Sequence, residues 1–268
     1  MRLINKTLKI NENEAQLNGY VIDNSPEIDA KKRRPAIVIC PGGSYVMTSD
    51  REAEPVALSL LRYGYHVFVL RYSTKVLYPI ALQQLAMTIQ FLRQHADEYM
   101  INPNQITVMG MSAGGHLAAS LGVSWNQTEL TQMGFEKEMI KPNLMALCYP
   151  VITVGKHGHQ KSFDQLVGKG NPRQHLSIET RVTKDFPPTF MWHTFDDATV
   201  GIENSILMLQ ALQKNGVSTE YHVFEHGKHG ISLANEQSAK KDDPRYVDQH
   251  VAKWIDLFHD WMQAHYMR

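Results

Sequence analysis

From Pro35 onward, short apolar runs rich in β-branched and aromatic residues alternate with segments of helical periodicity. The runs AIVIC (36–40), YHVFVL (65–70), QITVMG (105–110), LMALCYP (144–150) and TFMWHTF (189–195) have few polar positions on either face. Strands buried on both sides read this way. Between them, Leu82, Leu85, Ala86, Ile89 and Leu92 form one apolar stripe. Val247, Val251, Trp254, Ile255, Phe258, Trp261 and Met262 form another, at the i, i+3, i+4, i+7 spacing of a helix packed on a core. Residues 1–30 differ: two polar, alternating strands and the turn-rich stretch NSPEIDAKKRR predict an antiparallel start at one sheet edge. Strand and helix in alternation predict an α/β fold, with a mainly parallel sheet covered on both faces by helices.

One segment breaks the rhythm. Some thirty-five polar, Gly- and Lys-rich residues separate LMALCYP from TFMWHTF, long for a simple connection. A small cap at about 152–186, lying over the strand ends, is the expectation. The 268 residues otherwise suit a single domain, 1–268. With 27 basic and 27 acidic residues the net charge is zero, which gives no footprint for nucleic acid or an anionic membrane and points to a small neutral substrate. Cys40 and Cys148 both sit in apolar runs and read as buried thiols. The first residues carry no apolar signal region and nowhere do about 18 apolar residues run together, so a cytoplasmic protein is expected. The HGH at His157–His159 has no second cluster at ligand spacing and no HExxH occurs, so no metal and no cofactor are expected.

Chemistry concentrates around VMGMSAGGHLAAS (108–120). Gly110-Met111-Ser112-Ala113-Gly114 has the G-x-S-x-G spacing that places a serine on a sharp strand-to-helix turn. The motif alone is short enough to arise by chance, but here it follows the strand-like ITVMG and precedes an Ala/Leu helix, the context such an elbow needs. A serine hydroxyl needs a base in hydrogen-bond reach, itself oriented by an acid. For the acid, TFMWHTFDD ends a predicted strand in Asp196 and Asp197, of which only one can face the histidine that serves as base. For the base, His229, flanked on its loop by Gly227 and Gly230, has more freedom than its rival His226. His222 reads as packed in a strand, and His250, His259 and His265 as residues of the terminal helix. His116, one turn beyond Ser112, reads as structural. An oxyanion hole needs two backbone N–H donors. Ala113 supplies one, and the turn Pro41-Gly42-Gly43-Ser44-Tyr45 after AIVIC the other, near Gly43 and Ser44. Tyr45 and Met111 are expected to line a short substrate pocket.

With those residues assembled, the chain resembles an α/β-hydrolase of the small esterase/lipase group, in its acetyl-esterase-like, dienelactone-hydrolase or feruloyl-esterase-like branch. CPGGSY, VMGMSAGGHLA, PPTFMWHTFDDATVGIENS and GKHGISLA carry the likeness, over roughly residues 35–235. The resemblance implies a sheet of about eight strands. It gives Asp197 the catalytic place, Asp196 the flanking one and His229 the place of the base. Ser44 stands where the branch has a third glycine, and Gly201 where it has proline, so pocket shape is open to change. The expectation is a serine carboxylesterase acting on small acetyl or other short-acyl esters, free of cofactors, with further copies of the chain as its candidate protein partner. An amidase or formamidase on the same triad is the alternative, and a non-catalytic binding protein on this scaffold a remoter one.

Overall fold

The computed structural model describes residues 1–266. Its strands are β1 (Arg2–Ile10), β2 (Asn13–Val21), β3 (Arg34–Cys40), β4 (His66–Arg71), β5 (Ile101–Met111), β6 (Leu144–Cys148), β7 (Thr189–Thr194) and β8 (Thr219–Phe224). They make one sheet in the order β1-β2-β4-β3-β5-β6-β7-β8. β1 and β2 are antiparallel to each other and β2 to β4, whereas every pair from β4 to β8 is parallel. The polar start of the chain is therefore the sheet edge its alternation predicts.

Period-2 side-chain alternation sends each central strand's residues to two separate cores. Val38, Cys40, Val108, Met145 and Leu147 face one side, with helices α2 (Ile80–Gln94), α3 (Ala113–Ser124), the short α4 (Thr128–Gln132) and α5 (Lys137–Ile140), and α7 (Glu203–Lys214). Ile37, Ile39, Met109, Met111, Ala146, Cys148 and Trp192 face the other, with α1 (Glu54–Leu61) and α8 (Trp254–Tyr266). The two free, buried cysteines thus lie on opposite faces. Trp192 stacks on Trp254 at 5.2 Å, pinning α8 to the sheet. The terminal stripe is helical only from Trp254. Asp248 accepts the backbone N–H groups of His250 and Val251, so a 3₁₀ turn precedes α8 and His250 lies outside it. Among the described residues no helix is long and apolar enough to cross a membrane.

Strand order reverses at β3, whose neighbours are β4 on one side and β5 on the other. The crevice beyond the carboxyl ends of β3 and β5 is where an open α/β sheet offers a site. The long segment after β6 contains α6 (Gln160–Val167) and two 3₁₀ turns. Rather than roofing the strand ends, most of it lies along α3. Phe163 meets His116 edge-on at 5.2 Å, and the Leu176 carbonyl accepts from His116 Nε2. Phe186 fills the space that glycine leaves at position 122, and Trp125 Nε1 donates to the Asp185 carbonyl. Phe163, Leu166, Leu176, Ile178, Val182 and Phe186 are all buried, so the segment's apolar residues are invested in the helix layer. Val151, whose N–H donates to the Ser112 carbonyl, and His159, which feels the charges of His229 and Asp197, remain beside the crevice.

Candidate active site

Between the last residue of β5 and the first of α3, Ser112 alone makes the corner, with φ +54° and ψ −120°. A non-glycine residue holds this conformation only where its surroundings over-determine it. They do: its N–H donates to the Cys148 carbonyl, and its own carbonyl accepts from Gly115, His116 and Val151. The corner also needs close backbone approach, since a Cβ on Gly114 would fall 2.0 Å from the Cys40 carbonyl oxygen.

Ser112 Oγ lies 2.7 Å from His229 Nε2, and His229 Nδ1 lies 2.6 Å from Asp197 Oδ2. Asp197 can only accept, so Nδ1 carries the proton and Nε2 is left as acceptor for the serine hydroxyl. The other Asp197 oxygen, Oδ1, accepts the N–H groups of Thr199 (2.9 Å) and Val200 (3.0 Å). Burial pushes the Asp197 pKa up, but hydrogen bonds from His193 and His229 and the charge of His229 outweigh it and hold the carboxyl well below the usual range. The structure therefore brings Asp197, not Asp196, to His229. Asp196 points away and takes a histidine of its own: its oxygens meet His226 Nδ1 at 3.1 Å and the Gly227 N–H at 2.8 Å.

The loop after β3 turns back on itself beside Ser112. The Gly43 carbonyl accepts from Val46 and Met47, and Gly43, Ser44 and Tyr45 all have positive φ. Serine tolerates at position 44 a backbone that favours glycine. Gly42 donates its N–H to Glu52 Oε2. Among the described residues the N–H groups of Gly43, Ser44 and Ala113 make no internal hydrogen bond, and Ala113, first in its helix, has no intrahelical acceptor.

Two expected pocket residues are misplaced. Met111 belongs to the core shared with α1 and α8, because alternation along β5 turns it away from the crevice. Tyr45 is also buried. Its positive φ carries the ring inward, where the hydroxyl donates to His116 Nδ1 at 2.9 Å, His116 Nε2–H being committed to Leu176. His157 and His159 do not form a metal cluster: His157 faces Glu203, and His159 Nδ1 lies 2.8 Å from Ser162 Oγ. Among the described residues no group of three or more potential ligands is gathered.

Other residues around the triad escape motif reading. His193, fully buried on β7, donates Nε2–H to the Val200 carbonyl at 2.9 Å with Asp197 Oδ2 at 3.4 Å, while Nδ1 faces Ser205 Oγ at 2.7 Å. Asn204 accepts the N–H groups of Ile152 and Thr153 and donates to the His157 carbonyl, fastening the loop after β6 to α7. Tyr149 sets its ring edge-on to His229 at 5.3 Å. His193, Asn204 and Ser205 lie within the stretch that carries the resemblance, so their identity was visible there though their contacts were not.

The BD-FAE family model matches residues 24–212. Among curated proteins the chain is similar to endo-1,4-beta-xylanase B of Butyrivibrio fibrisolvens, with 32% identity over 76% of this chain and 34% of that protein. It is also similar to the acetylxylan esterase of Xylanibacter ruminicola, with 28% identity over 74% of this chain and 41% of that one. It thus spans between a third and a half of the length of these relatives. Solved structures match along nearly their whole length. The carboxylesterase Cest-2923 from Lactobacillus plantarum superposes with a TM-score of 0.90 at 30% identity, covering 99% of this chain and 98% of that one. The acetyl ester-xyloside bifunctional hydrolase from Caldicellulosiruptor lactoaceticus superposes with a TM-score of 0.80 at 33% identity, covering 95% and 89%. The fold, the family match and these likenesses agree: the chain belongs to the BD-FAE family, in the esterase group of the α/β-hydrolase superfamily.

Proposed function

We propose that the protein is a serine carboxylesterase that hydrolyses small short-acyl esters, acetyl esters foremost, through an acyl-enzyme. The observation that carries this reading is the unbroken chain of hydrogen bonds from Ser112 Oγ through His229 to Asp197, built on a strained elbow. Ser112 Oγ attacks the ester carbonyl while His229 Nε2 takes its proton. Asp197, held anionic, keeps the imidazole in the tautomer that can accept and stabilises the imidazolium. The tetrahedral oxyanion is received by the N–H of Ala113 and by N–H groups of Gly43 and Ser44, each such donor worth about 2.7–4 kcal/mol. His229 returns the proton to the leaving alcohol. Water then repeats the sequence on the acyl-enzyme.

Two observations favour a short acyl group. Relatives of this chain act on acetyl groups by name. Beside Tyr45 the interior lined by Tyr78, Leu117 and Leu166 holds a cavity of only about 10 Å³, which leaves no ready tunnel behind the oxyanion loop. The buried, unpaired thiols of Cys40 and Cys148 suit the reducing cytoplasm, where we place the enzyme.

A panel of p-nitrophenyl esters and anilides of rising acyl length tests the reading. We expect kcat/KM to be highest for acetyl and propionyl and to fall steeply beyond butyryl, with anilides turned over slowly or not at all. An open pocket would instead gain about 0.8 kcal/mol of burial per methylene, so eight-carbon esters outperforming acetate would refute the short pocket. Efficient anilide or formamide cleavage would establish an amidase.

A further inference from the structure

We propose that Glu52 is a positioning residue: its carboxylate ties the oxyanion loop to the histidine loop and supplies a second fixed negative charge beside the reacting serine, a role that rests on the serine-esterase reading above. Glu52 ends a short 3₁₀ turn (Asp50–Glu52) and is buried, yet among the described residues it forms no ion pair. Neighbouring Arg51 is committed elsewhere, to the carbonyls of Gly230 and Ser238. Burying a carboxylate without a cation is costly, and every hydrogen bond it receives has to offset that cost.

Its two bonds reach the loops after β3 and β6, and through Tyr149 the chain of bonds continues to the histidine loop. Oε2 accepts the N–H of Gly42 at 2.8 Å, next to the proposed oxyanion donors. Oε1 accepts the hydroxyl of Tyr149 at 2.8 Å. The Tyr149 oxygen in turn accepts the N–H of Ser232, three residues beyond His229, so the phenolic proton has to point at Glu52. The ring of Tyr149 packs against His229. Both Glu52 oxygens therefore face donors, the arrangement of an ionised, acceptor-only carboxylate. Only the absent side chain of Gly42 separates it from the nucleophile, since a Cβ there would lie 2.7 Å from Glu52 Oε2 and 2.8 Å from Ser112 Cβ.

A fixed anion here favours the protonated imidazole of His229 and disfavours an oxyanion, so its charge partly cancels in the transition state. In the free enzyme there is no oxyanion, and the charge acts on His229 alone. The acidic limb of kcat/KM against pH reports that free-enzyme group. No other titratable group facing Glu52 competes in this range: burial pushes the phenols of Tyr72 and Tyr149 and the thiol of Cys148 up. Around His229 stand Asp197, held well below the usual carboxylate range, and His159, held down by burial and by the charge of His229. His193 backs Asp197, and Lys228 precedes His229 in the chain.

The test measures kcat, KM and the pH profile of acetyl-ester hydrolysis in the full chain, normalised to serine titrated with a fluorophosphonate. Glu52→Gln keeps the shape and removes the charge. We expect its acidic limb to move down by about half a pH unit or more. Its kcat should fall about tenfold, less than the loss of a whole oxyanion donor, with KM within about twofold. Glu52→Asp keeps the charge but cannot span both partners, so kcat should fall while the limb stays in place. A Glu52→Gln enzyme with wild-type kcat per labelled serine and an unmoved limb overturns the proposal, even if its melting temperature is lowered. Should Glu52→Gln fail to fold, Tyr149→Phe cuts the tie to the histidine loop; a tenfold loss of kcat supports the role and wild-type kcat refutes it. Failure to label Ser112 in the unmodified protein would instead strike the serine-esterase reading.

Discussion

Asp196 and Asp197 are neighbours in the chain, and each has a histidine partner from the loop after β8, yet the two pairs differ in almost everything else. The Asp197 side chain is wholly buried and His229 is 16% exposed, whereas Asp196 is 49% exposed and His226 71%. Asp197 is braced by two backbone N–H groups and His193, and its histidine reaches a strained serine. Asp196 receives the Gly227 N–H, and so fastens the loop after β7 to the loop after β8, but the other nitrogen of His226 meets the exposed Glu225 carboxylate, at 3.5 Å. The same two residue types thus make a latch in one case and, in the proposed mechanism, a catalytic relay in the other. Burial and a third partner separate them, because a screened surface pair contributes little while a desolvated one fixes tautomer and orientation.

Neutralising each acid in turn gives the sharpest test of that contrast, with the largest effect. Asp197→Asn should lower kcat by about 10⁴, the order seen when a triad acid is lost and the histidine tautomer goes wrong. Asp196→Asn should stay within a few-fold of wild type, with its cost appearing in thermal stability. Comparable kinetic losses at both positions would erase the distinction.

This contrast was only partly legible in the amino-acid sequence. Residue order on an extended strand says that Asp196 and Asp197 diverge but not which one faces inward, and the choice came from the resemblance. The strands and the elbow announce themselves because burial on both faces and glycine at close approaches leave local traces. Glu52 leaves none: it lies in the polar run TSDREAEP, which reads as exposed, and is buried where Gly42 and Tyr149 bond to it. Tyr45 looked like a pocket wall because it adjoins Gly43 and Ser44, the expected oxyanion donors, but a positive φ reversed its side chain. The segment after β6 looked like a roof because its length is countable and its packing partner is not; α3, apolar on nearly every face, was the surface that needed covering.

A smaller effect extends the comparison to histidines away from the site. Burial lowers the pKa of His66 and of His116 from 6.5 to about 4, with the charge of Arg34 adding to the effect at His66. Both stay neutral in the folded chain and bind protons more readily once unfolded. Their contribution is whole above about pH 6.5 and shrinks as pH falls toward 4, by on the order of 3 kcal/mol each. Urea unfolding at pH 7, 6 and 5 should show that decline. Stability that is flat across this range would contradict the burial-based account.

The central claim, that Ser112 is the one serine activated by His229 and Asp197, is tested most directly by covalent labelling. The 268-residue chain is treated with a fluorophosphonate probe, digested and mapped by mass spectrometry, alongside Asp197→Asn and Asp196→Asn. We expect one label per chain, on Ser112, formed at the wild-type rate in Asp196→Asn and far more slowly in Asp197→Asn. Labelling at a different serine, or equal rates in the two variants, would contradict the assignment.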